Sequence, residues 1–364
     1  MSGLFSSLIR PALFRLDAER AHGLSIKTLK SGLVRPPLPR PDPRLAVDVA
    51  GLSFPNPIGM AAGYDKNAEV PDTLLRLGFG FAEIGTITPL PQAGNPKPRI
   101  FRLVEDRAVI NRFGFNSEGH EAVFQRLTAR ASRPGIVGVN IGANKDSHNR
   151  IEDYVLGIRK FYGLAAYFCV NISSPNTQGL RDLQARRSLG ELLIAIKLER
   201  ANGKARHRRQ VPVFLKIAPD LTEEGLDDIA GEVAANGIDG VIVANTTLSR
   251  AGLASAVRAE DGGLSGAPLF ARSTTVLAKM RMRLGPLMPL IGVGGVDSAE
   301  TALAKIEAGA DLVQLYTGMI FQGPGIAARI LRGLSLMVAK RGADSISDLR
   351  DQRAGEWAAK PLAD

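Results

Sequence analysis

The sequence predicts an α/β protein: a closed (β/α)8 barrel of the TIM type, preceded by an N-terminal helical extension. From residue 57 onward, a short apolar strand pattern, a Gly/polar loop and an amphipathic helix pattern follow one another eight times. The strand patterns are apolar on both faces, which is typical of parallel strands covered by helices. A barrel over 57–340 with inserts fits the ~250 residues usual for this fold. An open doubly wound sheet is the alternative, and the eight repeats favour the barrel.

The repeat consists of eight strands and the helices that follow them. The predicted strands are 58–61, 81–86, 136–141, 167–172, 213–217, 240–244, 290–293 and 312–315. The predicted helices are 70–77, 118–129, 151–162, 189–200, 223–236, 270–283, 299–308 and 325–338. Two inserts, 87–117 and 246–267, follow the second and sixth strands. Both lie at the carboxyl ends of strands, where barrel enzymes carry their active sites, so we expect lids or binding loops there.

The first 44 residues differ from the rest in charge and pattern. They carry eight Lys/Arg against three Asp/Glu, a net charge of +5 in a chain whose total is +10. An apolar stripe at helical spacing includes Leu4, Phe5, Leu8, Ile9, Leu13, Phe14 and Leu16. Pro11 is expected to break this stripe into a short helix and a longer one. Such a basic amphipathic pair can lie in a membrane interface; the alternative is a helical cap packed on the core of the domain.

The domain boundaries are predicted from prolines and apolar pattern. The proline-rich stretch 35–43 cannot be helical and is expected to be a stiff linker. A small hairpin is expected from 45–49 and 52–54, around Gly51. We therefore divide the chain into a helical segment with linker (1–44), the barrel (45–340) and a C-terminal tail (341–364).

Composition excludes several classes of protein. The single cysteine, Cys169, allows no disulfide framework and lies in an apolar strand, where a small buried hydrophobe is expected. A basic cluster is expected in an exposed loop; it consists of Arg200, Lys204, Arg206, Arg208 and Arg209. Because no nucleic-acid motif accompanies this cluster, no nucleic acid is expected as a partner. No run of ~20 uncharged residues predicts a spanning helix. We expect a monomer rather than an obligate oligomer.

Polar residues recur where the predicted strands end. Five asparagines (Asn111, Asn140, Asn171, Asn176 and Asn245) and two lysines (Lys66 and Lys216) occupy strand ends, the inserts or the loops beside them. Amides and ammonium groups suit a ligand with imide-like edges and a carboxylate. No His, Cys or carboxylate spacing predicts a metal site. Each asparagine alone could equally cap a loop, and 171–176 could be an ordinary Asn/Ser/Pro turn.

Glycines after the last two strands predict a phosphate site. Gly292 lies at the end of the seventh strand, Gly294 and Gly295 follow it, and Thr317-Gly318 follows the eighth. Barrels commonly build phosphate sites from these two loops, because bare glycines let backbone N–H groups approach phosphate oxygens. A phosphorylated cofactor together with amides and lysines indicates redox chemistry, in which the cofactor takes the electrons. Ser174 is the best-placed proton acceptor.

Taken together, these motifs resemble those of the dihydroorotate dehydrogenase family, in its membrane-associated, quinone-reducing class. The matching segments are 61–66 (AAGYDK), 85–89 (GTITP), 111–116 (NRFGFN), 171–176 (NISSPN), 245–247 (NTT), 262–266 (GGLSG), 292–295 (GVGG) and 316–318 (YTG). The resemblance runs over nearly the whole chain, including the N-terminal helices.

The resemblance implies that FMN lies across the barrel mouth, with its phosphate on Gly295, Tyr316 and Thr317. Lys216 is then expected near the pyrimidine edge of the flavin. The other implied cofactor-binding residues are Ala62, Gly63, Lys66, Thr86, Asn140, Asn171, Ala244 and Gly266.

The same resemblance implies a dihydroorotate site and a catalytic base. The implied substrate-binding residues are Lys66, Asn111, Arg112, Phe113, Gly114, Phe115, Asn171, Asn176, Asn245 and Thr246. Ser174 would take the C5 proton as hydride leaves C6. A serine is a poor base by itself, so a relay to water through a neighbour such as Thr177 is expected.

The electron acceptor implied by the resemblance is a membrane quinone. Cytosolic relatives carry cysteine at the position of Ser174 and lack the N-terminal extension, whereas this chain has both serine and residues 1–44. The helix pair would rest peripherally on the cytoplasmic face of the cell (inner) membrane and form a tunnel for the quinone, with Glu19 and His22 as candidate border residues. Two other classes stay open: a non-redox phosphate-binding barrel such as an isomerase or aldolase, and a non-catalytic membrane-binding protein.

Overall fold

Eight parallel strands close into a barrel in the computed structural model, which describes residues 9–34 and 36–362. The barrel strands are β3 (Ile58–Met60), β4 (Phe81–Ile87), β7 (Ile136–Ile141), β8 (Tyr167–Asn171), β9 (Val213–Ile217), β10 (Gly240–Val243), β12 (Leu290–Val293) and β13 (Leu312–Leu315). Each of these strands pairs with the next barrel strand along the chain, and β13 pairs with β3 to close the barrel. The predicted barrel is confirmed, and its strand boundaries agree to within about a residue.

In the described part of the chain, five further strands lie outside the barrel. They are β1 (Val47–Val49), β2 (Leu52–Phe54), β5 (Ile100–Leu103), β6 (Ala108–Asn111) and β11 (Gly263–Gly266). The first two form the expected antiparallel hairpin. Phe54 of this hairpin packs edge-on against Phe81, with 5.1 Å between the ring centroids, so the hairpin covers apolar side chains of the barrel.

The two inserts form one sheet. Strands β5 and β6 come from the first insert and β11 comes from the second, and all three pair antiparallel in the order β11-β6-β5. Gly263 lies opposite Asn111 in this sheet. The sequence predicted the inserts but not their pairing. The pairing places Asn111 at one end of the β6–β11 ladder and Gly266, opposite Ala108, at the other end.

Helices cover the outside of the barrel and one side of its mouth. They are α1 (Arg10–Arg15), α2 (Ala18–Lys30), α3 (Pro71–Arg76), α4 (Gly119–Ala129), α5 (Arg150–Phe161), α6 (Arg186–His207), α7 (Glu223–Asn236), α8 (Phe270–Leu284), α9 (Ala299–Glu307), α10 (Thr317–Gln322), α11 (Ile326–Lys340) and α12 (Ala354–Ala358). None of the helices in the described ranges is long and apolar enough to cross a membrane.

The N-terminal helices differ in one detail from the prediction. Pro11 lies in the first turn of α1, where its missing N–H is tolerated, and the helical path is interrupted instead at Leu16–Asp17. Asp17 begins α2 by accepting hydrogen bonds from the N–H groups of Glu19 (3.1 Å) and Arg20 (2.9 Å). Outside the described residues lie Leu4, Phe5 and Leu8, which are predicted to belong to the apolar stripe, and Arg35.

The basic cluster was wrongly expected in an exposed loop. Most of it lies on the last turns of α6, which runs seven residues beyond the predicted end at Arg200. Arg200 pairs with Asp239 at 2.7 Å, and Arg206 pairs with Glu199 at 2.7 Å. These contacts let a strongly basic segment remain helical, because neighbouring carboxylates compensate its charge.

Candidate active site

A cavity of about 670 Å³ lies between the carboxyl ends of the barrel strands, the insert sheet and the two N-terminal helices. The predicted site residues that line it are Ala62, Gly63, Lys66, Thr86, Asn111, Phe113, Gly114, Phe115, Asn171, Ser174, Asn176, Lys216, Ala244, Asn245, Thr246, Gly266, Gly295, Tyr316 and Thr317. Only Arg112 and Asn140, of the predicted set, are missing from the lining. Residues from both inserts and from the carboxyl ends of the barrel strands therefore line one cavity.

A chain of buried amides and hydroxyls forms the floor. The Thr86 hydroxyl donates to Oδ1 of Asn140 at 2.6 Å, and Nδ2 of Asn171 donates to the Thr86 hydroxyl oxygen at 2.9 Å. Asn140 is fully buried, and its Nδ2 also donates to Sγ of Cys169 at 3.0 Å. Asn140 therefore lies beneath the cavity and orients Thr86 and Asn171, which line it. Burial raises the pKa of the Cys169 thiol well above its usual value, in keeping with the predicted inert hydrophobe.

The loops after β8 and β10 are held together by polar contacts. Nδ2 of Asn245 donates to the Ser173 hydroxyl oxygen at 3.0 Å, and the Ser173 hydroxyl donates to Oδ1 of Asn171 at 2.9 Å. Arg181, which the sequence analysis missed, donates to the carbonyls of Ser173 and Thr246, both at 3.1 Å. A salt bridge with Asp220 at 3.0 Å fixes its guanidinium. Arg181 therefore sets the spacing of the two predicted substrate loops.

Ser174 lies at the cavity wall with few partners of its own. Its Oγ accepts a hydrogen bond from the N–H of Asn176 at 3.2 Å, and the residue is only 5% exposed. Nδ2 of Asn176 reaches Oδ1 of Asn111 at 3.4 Å. The nearby Thr177 hydroxyl is buried and has no hydrogen-bond partner among the described residues. A buried, unpaired hydroxyl is costly, so it indicates a position that a polar ligand or water can satisfy.

Lys66 lies against the first insert. Its ammonium donates to Oδ1 of Asn116 and lies 3.2 Å from the centroid of the Phe113 ring. Burial lowers the pKa of Lys66 well below its usual value, and the charge of Arg99 lowers it further. An anionic ligand at this place would favour the charged form of the lysine, because an opposite charge offsets desolvation.

Lys216 lies above a buried carboxylate that sequence analysis missed. Glu83 on β4 is 0% exposed, and its Oε1 lies 3.9 Å from Nζ of Lys216. Three neutral donors also converge on Glu83: Nδ2 of Asn140 (2.7 Å), the Tyr167 hydroxyl (3.0 Å) and Nε2 of Gln314 (2.8 Å). The signal was present in the sequence, because an isolated acid inside an apolar strand must be paired once it is buried.

Glycines make room at the predicted phosphate end. A side chain at Gly295, where φ is +74°, would place Cβ 2.5 Å from Cα of Phe270 and 2.7 Å from its N. At Gly266, where φ is +102°, a Cβ atom would lie 2.4 Å from the carbonyl oxygen of Arg107. The Ser265 and Thr317 hydroxyls lie 2.8 Å apart and join the insert sheet to the start of α10. Glycine at both positions therefore lets the main chain at the predicted phosphate end pack closely against the backbone of Phe270 and Arg107.

Aromatic residues line the cavity toward the N-terminal helices. The His22 ring lies 5.3 Å from Tyr64 and 6.3 Å from Tyr316, measured between centroids. Burial and the nearby charge of Lys66 lower the pKa of His22 to about 4, so its imidazole is neutral at pH 7. Beyond this cluster the lining is largely apolar and consists mainly of Ile9, Leu13, Phe14, Ala18, Ala21, Leu24 and Leu29. His22 therefore borders the path between the helices, whereas Glu19 does not line it.

Arg112 does not direct its side chain into the cavity. Its Nη1 lies 2.8 Å from Oε2 of Glu260, and its Cζ lies over the Phe101 ring, 4.5 Å from the ring centroid. The main chain of Arg112 does contact the mouth region, because its carbonyl accepts a hydrogen bond from Nδ2 of Asn95 at 3.0 Å. Any role of Arg112 toward a ligand would therefore be through its backbone.

Comparison with known proteins identifies the family. The model of the family described as dihydroorotate dehydrogenase matches residues 44–338. The chain belongs to the dihydroorotate dehydrogenase family. Relatives named dihydroorotate dehydrogenase (quinone) from Brucella ovis and Brucella abortus are each 67% identical over 363 residues, covering all of both chains. The predicted family is confirmed, as is the enzyme class, a quinone-dependent dihydroorotate dehydrogenase acting in pyrimidine biosynthesis.

Solved structures agree with this assignment. The ligand-free DHODH of Eimeria tenella has a TM-score of 0.89 at 40% identity, over 95% of this chain and 100% of that chain. The same protein in complex with ferulenol has a TM-score of 0.88 at 40% identity, over 92% of this chain and 95% of that chain. The chain therefore shares its overall architecture with these two solved structures.

Proposed function

We propose that the chain oxidises dihydroorotate to orotate with FMN as the hydride acceptor and a membrane quinone as the final electron acceptor, and that Ser174 is the base. The observation that carries this proposal is that Ser174, the predicted substrate amides and an apolar path between helices α1 and α2 all line one cavity. A polar pocket continuous with an apolar path suits one polar and one apolar substrate that exchange electrons through a shared cofactor.

The residues fit FMN at both ends of the molecule. Gly295, Tyr316 and Thr317 line one end of the cavity, where their backbone N–H groups would bind the phosphate. Lys216, backed by Glu83, supplies a cation for the pyrimidine edge of the flavin. Thr86 and Asn171 offer polar atoms at the floor, and Ala62, Gly63, Ala244 and Gly266 leave room for the ring. When bound, the cofactor supplies the hydride acceptor.

The substrate residues hold a planar, anionic heterocycle. Asn111, Asn171, Asn176 and Asn245 supply amide donors and acceptors for the edges of the ring. Lys66 supplies the cation for a carboxylate, and Thr246 and the insert 113–115 close the pocket. Because Lys66 is desolvated, its attraction for a carboxylate is stronger than it would be in water. Fixed groups of this kind orient C5 of the substrate toward Ser174.

Ser174 accepts the proton from C5. A serine hydroxyl is a weak base, so it must pass its own proton on as the substrate proton arrives. None of the hydrogen bonds of Ser174 involves a titratable side chain within the described chain. The unpaired hydroxyl of Thr177 supports a relay from Ser174 through Thr177 to water.

The N-terminal helices bring quinone from the membrane. Four large apolar residues on or beside them, Ile9, Leu16, Leu24 and Leu33, are 42–84% exposed, as expected for a surface that contacts lipid. The surrounding arginines and lysines favour an anionic membrane surface. The protein would then rest peripherally on the cytoplasmic face of the inner membrane, as a monomer, with no nucleic acid as a partner.

The deciding experiment is an anaerobic visible spectrum of the purified protein. A flavin band should be present, bleach on addition of dihydroorotate and return on addition of quinone. Mass spectrometry of the released cofactor should give FMN. A protein without a flavin band, even after FMN is supplied, would contradict the redox proposal and favour an isomerase or aldolase. Bleaching without recovery on quinone addition would contradict only the proposed acceptor.

A further inference from the structure

Glu19 on helix α2 forms an ion pair with the first insert. Its carboxylate accepts hydrogen bonds from Nε of Arg99 at 3.0 Å and Nη2 of Arg99 at 2.8 Å, and Lys97 lies 3.3 Å from Oε1. The Arg99 side chain is only 7% exposed. This two-bond geometry is the strongest that a guanidinium and a carboxylate can form. The pair therefore fixes the position of α2 relative to the insert.

Arg99 also holds the insert itself. Its Nη1 donates to the carbonyl of Ala93 at 2.6 Å and to the carbonyl of Asn95 at 2.9 Å. The carbonyl of Arg99 accepts a hydrogen bond from the N–H of Arg112 at 2.9 Å. All three guanidinium nitrogens are therefore used, two toward Glu19 and one toward the loop. The orientation of Arg99 sets the path of the chain from residue 93 to 99.

Asn95 carries this constraint to the predicted substrate residues. Its Nδ2 donates to the carbonyl of Asn176 at 3.2 Å, and its N–H donates to the carbonyl of Phe113 at 2.9 Å. Asn176 in turn reaches Asn111 through its side chain. Side-chain and backbone hydrogen bonds therefore run without a break from Glu19 through Arg99 and Asn95 to the loop that carries Ser174 and Asn176.

We infer that Glu19 and Arg99 are positioning residues for dihydroorotate, through which the docked N-terminal helix holds Asn95 and so orders Asn111 and Asn176 toward the substrate. This inference rests on the proposed function and deepens it. The segment assigned to the quinone then also sets the affinity for the other substrate. Neither Glu19 nor Arg99 lines the cavity, so their effect is indirect.

The charges of Glu19 and Arg99 also affect Lys66, a predicted substrate-binding residue. Besides burial, which has the largest effect, Arg99 lowers the pKa of Lys66 and Glu19 raises it. Arg99 lies 5.3 Å from the centroid of the Phe113 ring, the same ring that Lys66 contacts. Loss of the Glu19 charge would leave Arg99 uncompensated beside Lys66, and so would disfavour the charged lysine.

The chain provides a matched control on the same helix. Lys30 of α2 pairs with Glu69 of the barrel at 3.3 Å, with exposed fractions of 60% and 28% for the two side chains. This pair also joins α2 to the barrel, but within the described ranges it has no hydrogen bond to the insert. Glu69→Gln therefore removes an ion pair of the helix without disturbing the path to Asn176.

The experiment measures reduction of the flavin in the full-length holoenzyme by dihydroorotate, anaerobically and without quinone. Glu19→Gln should raise the apparent Kd for dihydroorotate roughly tenfold while changing the limiting rate far less, as coupling between sites of this kind allows. Arg99→Lys should also raise Kd, because an ammonium cannot keep both hydrogen bonds to the Glu19 carboxylate together with both carbonyl contacts. Glu69→Gln should match the wild type.

The outcomes separate the inference from the proposed function. A wild-type Kd in Glu19→Gln, with a defect confined to reoxidation by quinone, would overturn the inference alone. Equal increases in Glu19→Gln and Glu69→Gln would also overturn it, because any loosening of the helix would then suffice. A wild-type holoenzyme that dihydroorotate does not reduce would overturn the proposed function as well. If Glu19→Gln does not fold, Arg99→Lys decides by the same Kd.

Discussion

Nζ of Lys216 lies 3.9 Å from Oε1 of Glu83, whose side chain is completely buried at the centre of the barrel. The lysine is on β9 and the acid is on β4, so the pair crosses the interior of the barrel. Removal of one partner from such a pair leaves a buried charge without compensation. The pair therefore holds a cation at the cavity floor that the fold could not otherwise keep there.

Replacement of Glu83 by glutamine should lower the free energy of unfolding by about 3–5 kcal/mol, because Lys216 loses its counter-charge and a new amide N–H faces existing donors. Urea unfolding of the full-length protein measures this difference. Tyr167→Phe is the control, since it removes one donor from Glu83 and should cost only about 1 kcal/mol. Equal losses in the two variants would contradict the importance of the charge.

Replacement of Ser174 by alanine should retain FMN but slow flavin reduction by dihydroorotate by about 10²–10⁴-fold, since a positioned proton acceptor contributes that much. Stopped-flow absorbance of the anaerobic holoenzyme measures the rate. Ser173→Ala is a neighbouring comparison: because Ser173 contacts Asn171 and Asn245 without lining the cavity, its loss should raise the Kd for dihydroorotate more than it slows flavin reduction at saturation. Near-normal reduction in Ser174→Ala would remove Ser174 as the base.

Replacement of Ala21 by tryptophan should obstruct the apolar path between α1 and α2. At saturating dihydroorotate, flavin reduction should stay within about twofold of wild type, whereas reoxidation by quinone should slow at least about tenfold, because the blocked path excludes one substrate only. Ala12→Trp introduces the same bulk at an exposed position of α1 and should leave both rates unchanged. Normal reoxidation in Ala21→Trp would show that quinone reaches the cofactor elsewhere.

Replacement of Gly295 by alanine should weaken FMN binding by at least about tenfold, the equivalent of ~1.4 kcal/mol, because the new methyl group would meet the backbone of Phe270. Fluorescence titration of the cofactor-free protein with FMN measures the change in Kd. Gly252→Ala is the control, because Gly252 has a similar positive φ, +73°, but no atom of the described residues beyond its chain neighbours lies within 4 Å of the place its methyl group would take. If Gly295→Ala and Gly252→Ala weaken FMN binding equally, strain at a positive φ, rather than contact with the backbone of Phe270, would explain the loss.

The pH dependence of stability should report on His22. Its folded pKa is about 4, below the usual 6.5, so between these values the unfolded chain binds a proton that the folded chain excludes. The contribution of His22 to stability is therefore lost as the pH falls from 6.5 toward 4. His22→Gln should show a shallower decline over this window in urea unfolding. Other groups, such as Asp65 with its pKa of about 6, titrate in both proteins and cancel. Parallel profiles would contradict a neutral, buried His22.

Much of the barrel could be predicted because its signals are local. The eight apolar strands, the helices that follow them and the two inserts are each visible in a window of a few residues. Where prediction failed, a distant contact or a position within a turn decided the local structure. The basic turns of α6 stay helical because Arg200 pairs with Asp239, which lies just before β10, and Arg206 pairs with Glu199 of α6 itself. Pro11 is accommodated because it falls in a first turn.

The candidate site shows the same division. Lys66, Ser174 and the asparagines could be named from the sequence, because polar residues at strand ends are conspicuous. Glu83 was within reach of the same reasoning, as a single acid in an apolar strand. Arg99 and Arg181 could not be found in this way. Each binds main-chain carbonyl groups, which carry no residue identity in a sequence, and a carboxylate from a distant segment, Glu19 or Asp220.

The sequence by itself determined the family, the barrel and the chemical types that face its mouth, because periodicity and motif spacing are properties of neighbouring residues. Only the tertiary structure decided that the two inserts share one sheet, that Glu83 supports Lys216, and that Glu19 reaches Asn176 through Arg99 and Asn95. These relationships join segments that are far apart in the chain. They depend on the directions in which side chains leave different elements, and those directions are set by the packing of the whole barrel.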